Sequence, residues 1–150
     1  MSISIRRITC REAWENPSWK TIVEQYRKDL PNIDFDPDPD ESLYLRYELA
    51  GLFFCIGAFD GDSLVGLVSF AEITPPLKKG VLVARSELLW VDPLHRGEGL
   101  SKRLMESAVA LAKSHGCLGF FWSVRYGTTA DRILRKAFGD PSETVFWQSL

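Results

Sequence analysis

No Cys-x-x-Cys pair occurs in this chain. Its three cysteines, Cys10, Cys55 and Cys117, form an odd and widely spaced set. That excludes a zinc ribbon or a disulfide framework and suits free thiols in a reducing compartment. The N-terminal run Met-Ser-Ile-Ser-Ile-Arg-Arg lacks the apolar core of a secretion signal. The longest apolar run, Leu52 to Phe59, is too short to cross a bilayer. Basic charge is not in surplus: 18 Lys and Arg face 20 Asp and Glu, for a net charge of −2. No broad positive field is available for nucleic acid. These absences describe a cytoplasmic protein with neither nucleic acid nor membrane as a partner. Four aspartates lie between Asp34 and Asp40, but the central Gly and terminal Glu of a calcium loop are missing. No metal site is expected.

What remains is ordinary globular material: 150 residues, 45% apolar and 25% charged, enough for one domain over 1–150 with its own core. Ile3, Ile5 and Ile8 suggest a first strand. Thr9 and Glu12 have capping-box spacing. A helical stripe of Trp19, Ile22, Val23, Tyr26 and Leu30 follows and reads as core packing. Pro31 to Asp40, rich in Pro and Asp, is a loop; beside a binding site its acidic charge would attract a cationic amine. A second helix starts at Asp40 or Ser42, carries Leu43, Tyr47 and Ala50, and ends at Gly51. Phe53–Phe59 and Ser63–Ile73 read as a hairpin turned by Asp60-Gly61-Asp62. After a loop at Thr74–Gly80 come a strand at Val81–Val91 and a long helix from Leu100, closed by His115-Gly116. A nearly all-apolar strand at Cys117–Val124 belongs in the middle of a sheet. A helix over Gly127–Phe138, with Ala130, Ile133, Leu134 and Ala137 inward, and a closing strand at Glu143–Gln148 complete an α/β (α+β) chain.

The most informative stretch lies between the Val81–Val91 strand and the long helix. Pro93 stops the ladder. Gly97 and Gly99 permit backbone angles closed to other residues, and Leu100, Leu104, Ala108 and Leu111 recur at helical spacing. Free backbone N–H groups are thereby delivered at a helix N-terminus, beside the fixed charge of Arg96. That is a site for a pyrophosphate. A Walker loop would need Gly-Lys-Ser/Thr, which is absent. A dinucleotide fingerprint would need a third glycine where Lys102 stands.

The run Arg96-x-x-Gly99-x-Ser101, after Val91-x-Pro93, resembles motif A of the GCN5-related N-acetyltransferases (GNAT), Gln/Arg-x-x-Gly-x-Gly/Ala. Ser101 stands where Gly or Ala is usual. The order β-α-α-β-β-β-α-β-α-β resembles that family over nearly the whole chain. The resemblance implies a mixed, mostly antiparallel sheet of six to seven strands flanked by four helices. It also implies acetyl-CoA held where the sheet splays, between the strand ending at Val91 and the strand at Cys117–Val124. Backbone groups of Arg96, Gly97, Glu98, Gly99, Leu100 and Ser101 would take the pyrophosphate. Those of Leu89 and Val91 would pair with the pantetheine arm, and the Val91 N–H would face the developing oxyanion.

The activity implied is acetyl transfer to a primary amine of a small molecule or protein, by direct attack in a ternary complex. Glu87, on the same strand parity as Leu89, is the first candidate base, and Glu72 the reserve. The family often has a tyrosine on the last helix, in Asn-x-x-Ala-x-x-Leu-Tyr. Here Gly127 replaces the Asn and Leu134 the Tyr, while Tyr126 is out of register. That departure leaves a second reading open, a catalytically weak or inactive acyl-CoA-binding module. His95, His115 and Cys117 read as structural. Arg132, Arg135 and Lys136 are candidates for the adenosine phosphate. Pairing of the apolar C-terminal strand across subunits would make a homodimer.

Overall fold

The computed structural model describes residues 2–29 and 36–150. Leu30 of the helical stripe and residues 31–35 of the acidic loop, Asp34 among them, lie outside the described residues.

Five strands form one sheet in the order β1-β2-β3-β4-β5. They are β1 (Ser4–Ile8), β2 (Phe53–Asp60), β3 (Ser63–Ile73), β4 (Val83–Val91) and β5 (Phe120–Phe121). The first four are antiparallel and β5 joins β4 in parallel. Five α-helices are present among the described residues: α1 (Cys10–Glu15), α2 (Trp19–Lys28), α3 (Glu41–Leu49), α4 (Leu100–Ser114) and α5 (Thr129–Phe138).

Local chemistry explains the boundaries. Glu12 N–H donates to Thr9 Oγ1 at 3.1 Å and Thr9 N–H to Glu12 Oε2 at 2.9 Å, completing the capping box that starts α1. These bonds hold the Glu12 carboxyl below its usual value, the Thr9 amide contributing most. Asp40 caps α3 by accepting from Leu43 N–H at 3.0 Å. Gly61, at φ 59°, supplies the left-handed turn between β2 and β3. His115 is the C-cap of α4, and Gly116 follows it at φ 88°.

The sheet has a core on each face. On one, α4 lays Leu100, Leu104, Ala108 and Ala112 against Phe54, Ile56, Val68, Phe70 and Ala84. On the other, Ala13 of α1 and Ile22 of α2 pack with Phe53, Cys55, Leu64, Leu67 and Trp90. Gly66 matters for the first: a Cβ there would come within 2.8 Å of Leu104 Cδ1, so its absence lets α4 lie close to β3. Glu48 of α3 accepts from Cys10 N–H at 2.8 Å, tying α3 to the start of α1.

Several sequence expectations need correction. The strand at Cys117–Val124 shrinks to Phe120–Phe121 and lies at the sheet edge, with Phe121 41% exposed. Only Ala84↔Phe120 and Arg85↔Phe121 pair, although Leu118 N–H still donates to the Leu82 carbonyl at 2.8 Å just before them. Glu143–Gln148 forms no strand, and Val145 and Phe146 are 79% and 88% exposed. Its alternating apolar pattern is present, but among the described residues no ladder partner adjoins it. The sheet therefore has five strands rather than six or seven, with five helices rather than four around it. In α3 the inward residues are Tyr44 and Leu45, while Tyr47 and Ala50 are exposed. In α5 only Leu134 is buried, and Ile133 and Ala137 are exposed.

Two substitutions check this layering. Leu104→Ala, at a fully buried position, should lower unfolding free energy by about 2–5 kcal/mol in urea titration. Phe146→Asp, in the exposed tail, should change it by no more than ~0.5 kcal/mol.

Candidate functional site

Two features meet along β4. The first is the loop at its end. Asp92 Oδ1 accepts from Leu94 N–H at 2.8 Å and starts a single 3-10 turn, Pro93–His95. His95 packs between Asp60 and Asp92, with ring nitrogens 3.6 and 3.7 Å from their carboxylates. Arg96 Nε donates to the Val91 carbonyl at 3.1 Å, folding the loop back on the strand. Gly97 and Gly99 then stand at φ 89° and 74°, the left-handed region that a side chain would strain. Gly99 is the N-cap of α4, and no side chain caps that helix. A Cβ at Gly97 or Gly99 would meet nothing within 4 Å, so the space in front of the loop is open.

An uncapped first turn of a fifteen-residue helix, opening on free space, fits an anionic diphosphate. Leu100 anchors it, its side chain 2% exposed in the core. Ser101 is partly covered, and Glu98 is exposed, so its charge can turn away from an anion.

The second feature is the edge of β4. Asp92 N–H donates to the Val65 carbonyl at 2.9 Å. Alternation along an antiparallel ladder then turns the main-chain groups of Val91 and Leu89 away from β3 and toward β5. There β5 has already diverged, its pairing ending at Arg85↔Phe121. The Ser86 hydroxyl fills the fork, accepting from Ser123 N–H at 2.8 Å. Past this point the β4 edge borders a gap.

Glu87 sits at a break in register. Ser69 pairs with Leu88 and Phe70 with Ser86, leaving Glu87 as the extra residue of a β-bulge. Simple alternation places Glu87 with Leu89. The bulge instead brings it, with Leu88, to the wall of a cavity of about 210 Å³ on the α1–α3 face. Leu89 packs toward the α4 core. Glu87 remains exposed at the cavity rim, yet the apolar wall holds its carboxyl above the usual value, with Arg85 pulling the other way. Arg85 itself donates to Ser123 Oγ at 3.1 Å.

Glu72 is not brought to this cavity. It is buried on β3, toward the α4 face, and bonded to His115 Nδ1 at the far end of α4. Cys117 lies beside it; burial and Glu72 push its thiol up to about 11, so it stays protonated. On α5, Arg135 pairs with Asp131 at 2.9 Å and lies over the Tyr126 ring. Arg132 bonds Thr129 Oγ1, and Lys136 is exposed. Leu134 is a buried packing residue at 8% exposure.

The cavity draws most of its lining from Trp14–Gly51, a span from which the family resemblance implies an acceptor pocket, while no residue of Asp140–Trp147, implied with it, lines it. Of the stripe read as core, Ile22 is core, while Trp19, Val23 and Tyr26 also line the cavity, joined by Trp14, Tyr44 and Asp38. A helical aromatic stripe has the same spacing in either role, so only the combined packing of three helices separates them. Arg125 donates to the Tyr26 hydroxyl at 2.9 Å, and burial, with Glu87 nearby, raises the Tyr44 phenol. Of the acidic loop, Asp36 pairs with Arg27 at 3.2 Å, Asp40 caps α3, and Asp38 faces the cavity.

Comparison with known proteins identifies the family. The model of the acetyltransferase (GNAT) family matches residues 19–139. The chain belongs to that family. Among curated proteins none matches. Among the solved structures that share the fold are the following three. A ribosomal-protein-alanine N-acetyltransferase from Brucella melitensis biovar Abortus 2308 is 17% identical, with TM-score 0.74 over 100% of this chain and 98% of that one. An aminoglycoside acetyltransferase from an uncultured soil metagenomic sample, in complex with sisomicin, is 16% identical, with TM-score 0.70 over 99% and 96%. A predicted acetyltransferase with acetyl-CoA from Clostridium acetobutylicum is 17% identical, with TM-score 0.66 over 99% and 96%.

The environment of Glu87 predicts a stability effect. A folded-state pKa raised above the unfolded value means that the unfolded chain ionises first, so stability falls as pH rises through that window. Glu87→Gln should therefore raise Tm at pH 7, and the gain should vanish once both states are protonated, near pH 3. Thermal unfolding at the two pH values checks this.

Proposed function

We propose that this protein is an acetyl-CoA-dependent N-acetyltransferase that moves an acetyl group from the thioester to a primary amine within a ternary complex. One observation carries the reading. The open, uncapped start of α4 and the bulge-directed Glu87 lie on the two ends of the same strand segment, on either side of an unpaired β4 edge. The acetyl-CoA complex of the Clostridium structure supports the choice of cofactor.

Each residue has a physical task. The N–H groups from Arg96 to Ser101 bind the diphosphate of acetyl-CoA, which supplies an activated acetyl group when bound. Arg96 holds the loop in the receiving shape through Val91. The outward main-chain groups of Leu89 hold a pantetheine amide as an added strand would, and Val91 follows them at the thioester. The Val91 N–H stabilises negative charge on the carbonyl oxygen, worth ~3 kcal/mol for one such donor. At pH 7 an alkylamine of pKa ~10.4 is neutral in only about one part in a thousand. Glu87 removes the surplus proton directly or through water, and its raised pKa makes it a stronger base than an ordinary carboxylate. Glu72, held by His115 on the other face, is a structural residue in this scheme.

The departing thiolate needs a proton less urgently, since a thiol pKa is about 8.5. Leu134 offers none. That observation favours the second reading, a catalytically weak acyl-CoA-binding module. Against it, Tyr44 lines the cavity, and its phenol is the candidate for the role of the absent tyrosine. The acceptor is an amine of a small molecule or a protein. The Brucella and soil-metagenome relatives represent these two types, by what their names state.

A thiol-release assay over a mixed panel of amines decides between the readings: turnover supports the enzyme, and coenzyme A binding without any turnover supports the module. Glu87→Gln should lower kcat/KM by about 10²–10⁴-fold at pH 7. The deficit should shrink as pH approaches the amine pKa, because solution then supplies free base. Glu72→Gln should keep activity within about threefold while lowering Tm. Gly99→Val, forced into φ 74°, should weaken coenzyme A binding by about tenfold or more in calorimetry, ~1.4 kcal/mol.

A further inference from the structure

We infer that the acceptor is a small monoamine carried on a flat apolar body, an arylalkylamine in chemical class, and that Trp14, Trp19 and Tyr44 select it. This deepens the acetyltransferase reading and rests on it. Trp14 and Trp19 lie with ring centroids 4.3 Å apart at an interplanar angle of 30°, and Trp14 meets Tyr44 at 5.5 Å and 49°. These rings come from α1, α2 and α3, so three separate elements contribute aromatic surface to one space. Aromatic side chains offer broad, rigid faces to another ring, and their electron-rich faces also attract an ammonium group.

Charge is confined to one sign. Asp38 and Glu87 are the ionisable carboxylates of the lining, and among the described residues that line it there is no Lys, Arg or His. Arg125 approaches from outside the lining and is engaged with the Tyr26 hydroxyl. An ammonium entering beside Glu87 therefore finds opposite charge at the reacting end and apolar ring faces elsewhere.

Size narrows the class further. The cavity volume of about 210 Å³ falls below the roughly 300–1,000 Å³ usual for drug-sized ligands. A one- or two-ring amine suits that space. A polycationic, polyhydroxylated acceptor suits it less: beside the two carboxylates only Ser69, Tyr26 and Tyr44 offer side-chain polar groups to its many hydroxyls, and its further ammonium groups would outnumber the carboxylates.

The test compares amines at saturating acetyl-CoA, following coenzyme A release. 2-Phenylethylamine and tryptamine should exceed ethanolamine, an aminoglycoside and a short peptide with a free amino terminus by at least tenfold in kcat/KM. Trp19→Leu keeps the position apolar while removing the ring. It should raise KM for 2-phenylethylamine about fivefold or more, with a smaller change in kcat and with coenzyme A affinity retained as evidence of folding. In parallel, calorimetry measures 2-phenylethylamine binding to protein loaded with coenzyme A. Saturable binding without turnover of any amine would uphold the pocket assignment and overturn the acetyltransferase reading. Turnover of ethanolamine, the aminoglycoside or the peptide at rates equal to or above those of the aryl amines would overturn the assignment and leave the enzyme reading standing. Neither binding nor turnover would overturn both.

Discussion

The close seating of α4 on the sheet is the constraint from which the other features follow. Gly66 carries no side chain, and Leu104 occupies the space this leaves, while Leu100, one helical turn earlier, is sealed into the same core. The first turn of α4 is thereby held rigidly next to the end of β4. Its N–H groups cannot all be satisfied within the helix, and Gly99 offers no side chain to cap them. A buried helix start of this kind would be a defect. Here the preceding glycines open it to solvent, and the unsatisfied donors become a receptor for negative charge. Packing on one face of the sheet thus prepares binding at its edge.

The opposite face is governed by a different device. A single extra residue in β4 turns Glu87 toward α1, α2 and α3 while Leu89 keeps its place over the α4 core. Without that bulge the strand could not present a carboxylate to one face and continue an apolar ladder to the other in this register. The carboxylate is placed where its charged form is disfavoured, which strengthens it as a base and weakens the fold. On the proposed function, the sheet divides its labour between a cofactor edge and an acceptor face.

Legibility in the sequence followed how local each requirement is. The Gly97–Gly99 loop could be read because left-handed backbone leaves its mark directly in residue identity. The Thr9–Glu12 box and the Asp40 cap were equally local. The parity of Glu87 was misread because a bulge depends on the partner strand, and Glu87 alone carries no trace of it. The aromatic wall of the cavity was hidden for a related reason. Trp14, Trp19 and Tyr44 come from three helices and look like core in each. The Glu143–Gln148 segment shows the reverse error: strand-like alternation is a property of the segment, whereas pairing depends on another strand, and among the described residues none pairs with it.

The central claim is that main-chain amides at the start of α4, rather than side chains, hold the diphosphate of the cofactor. Amide hydrogen exchange over residues 96–102, followed with coenzyme A and with pantetheine, addresses it most directly, because the two ligands share the thiol arm and differ in the diphosphate. The account predicts strong protection of these amides by coenzyme A and little by pantetheine. Equal protection by both, or none by either at concentrations that saturate binding, would contradict it.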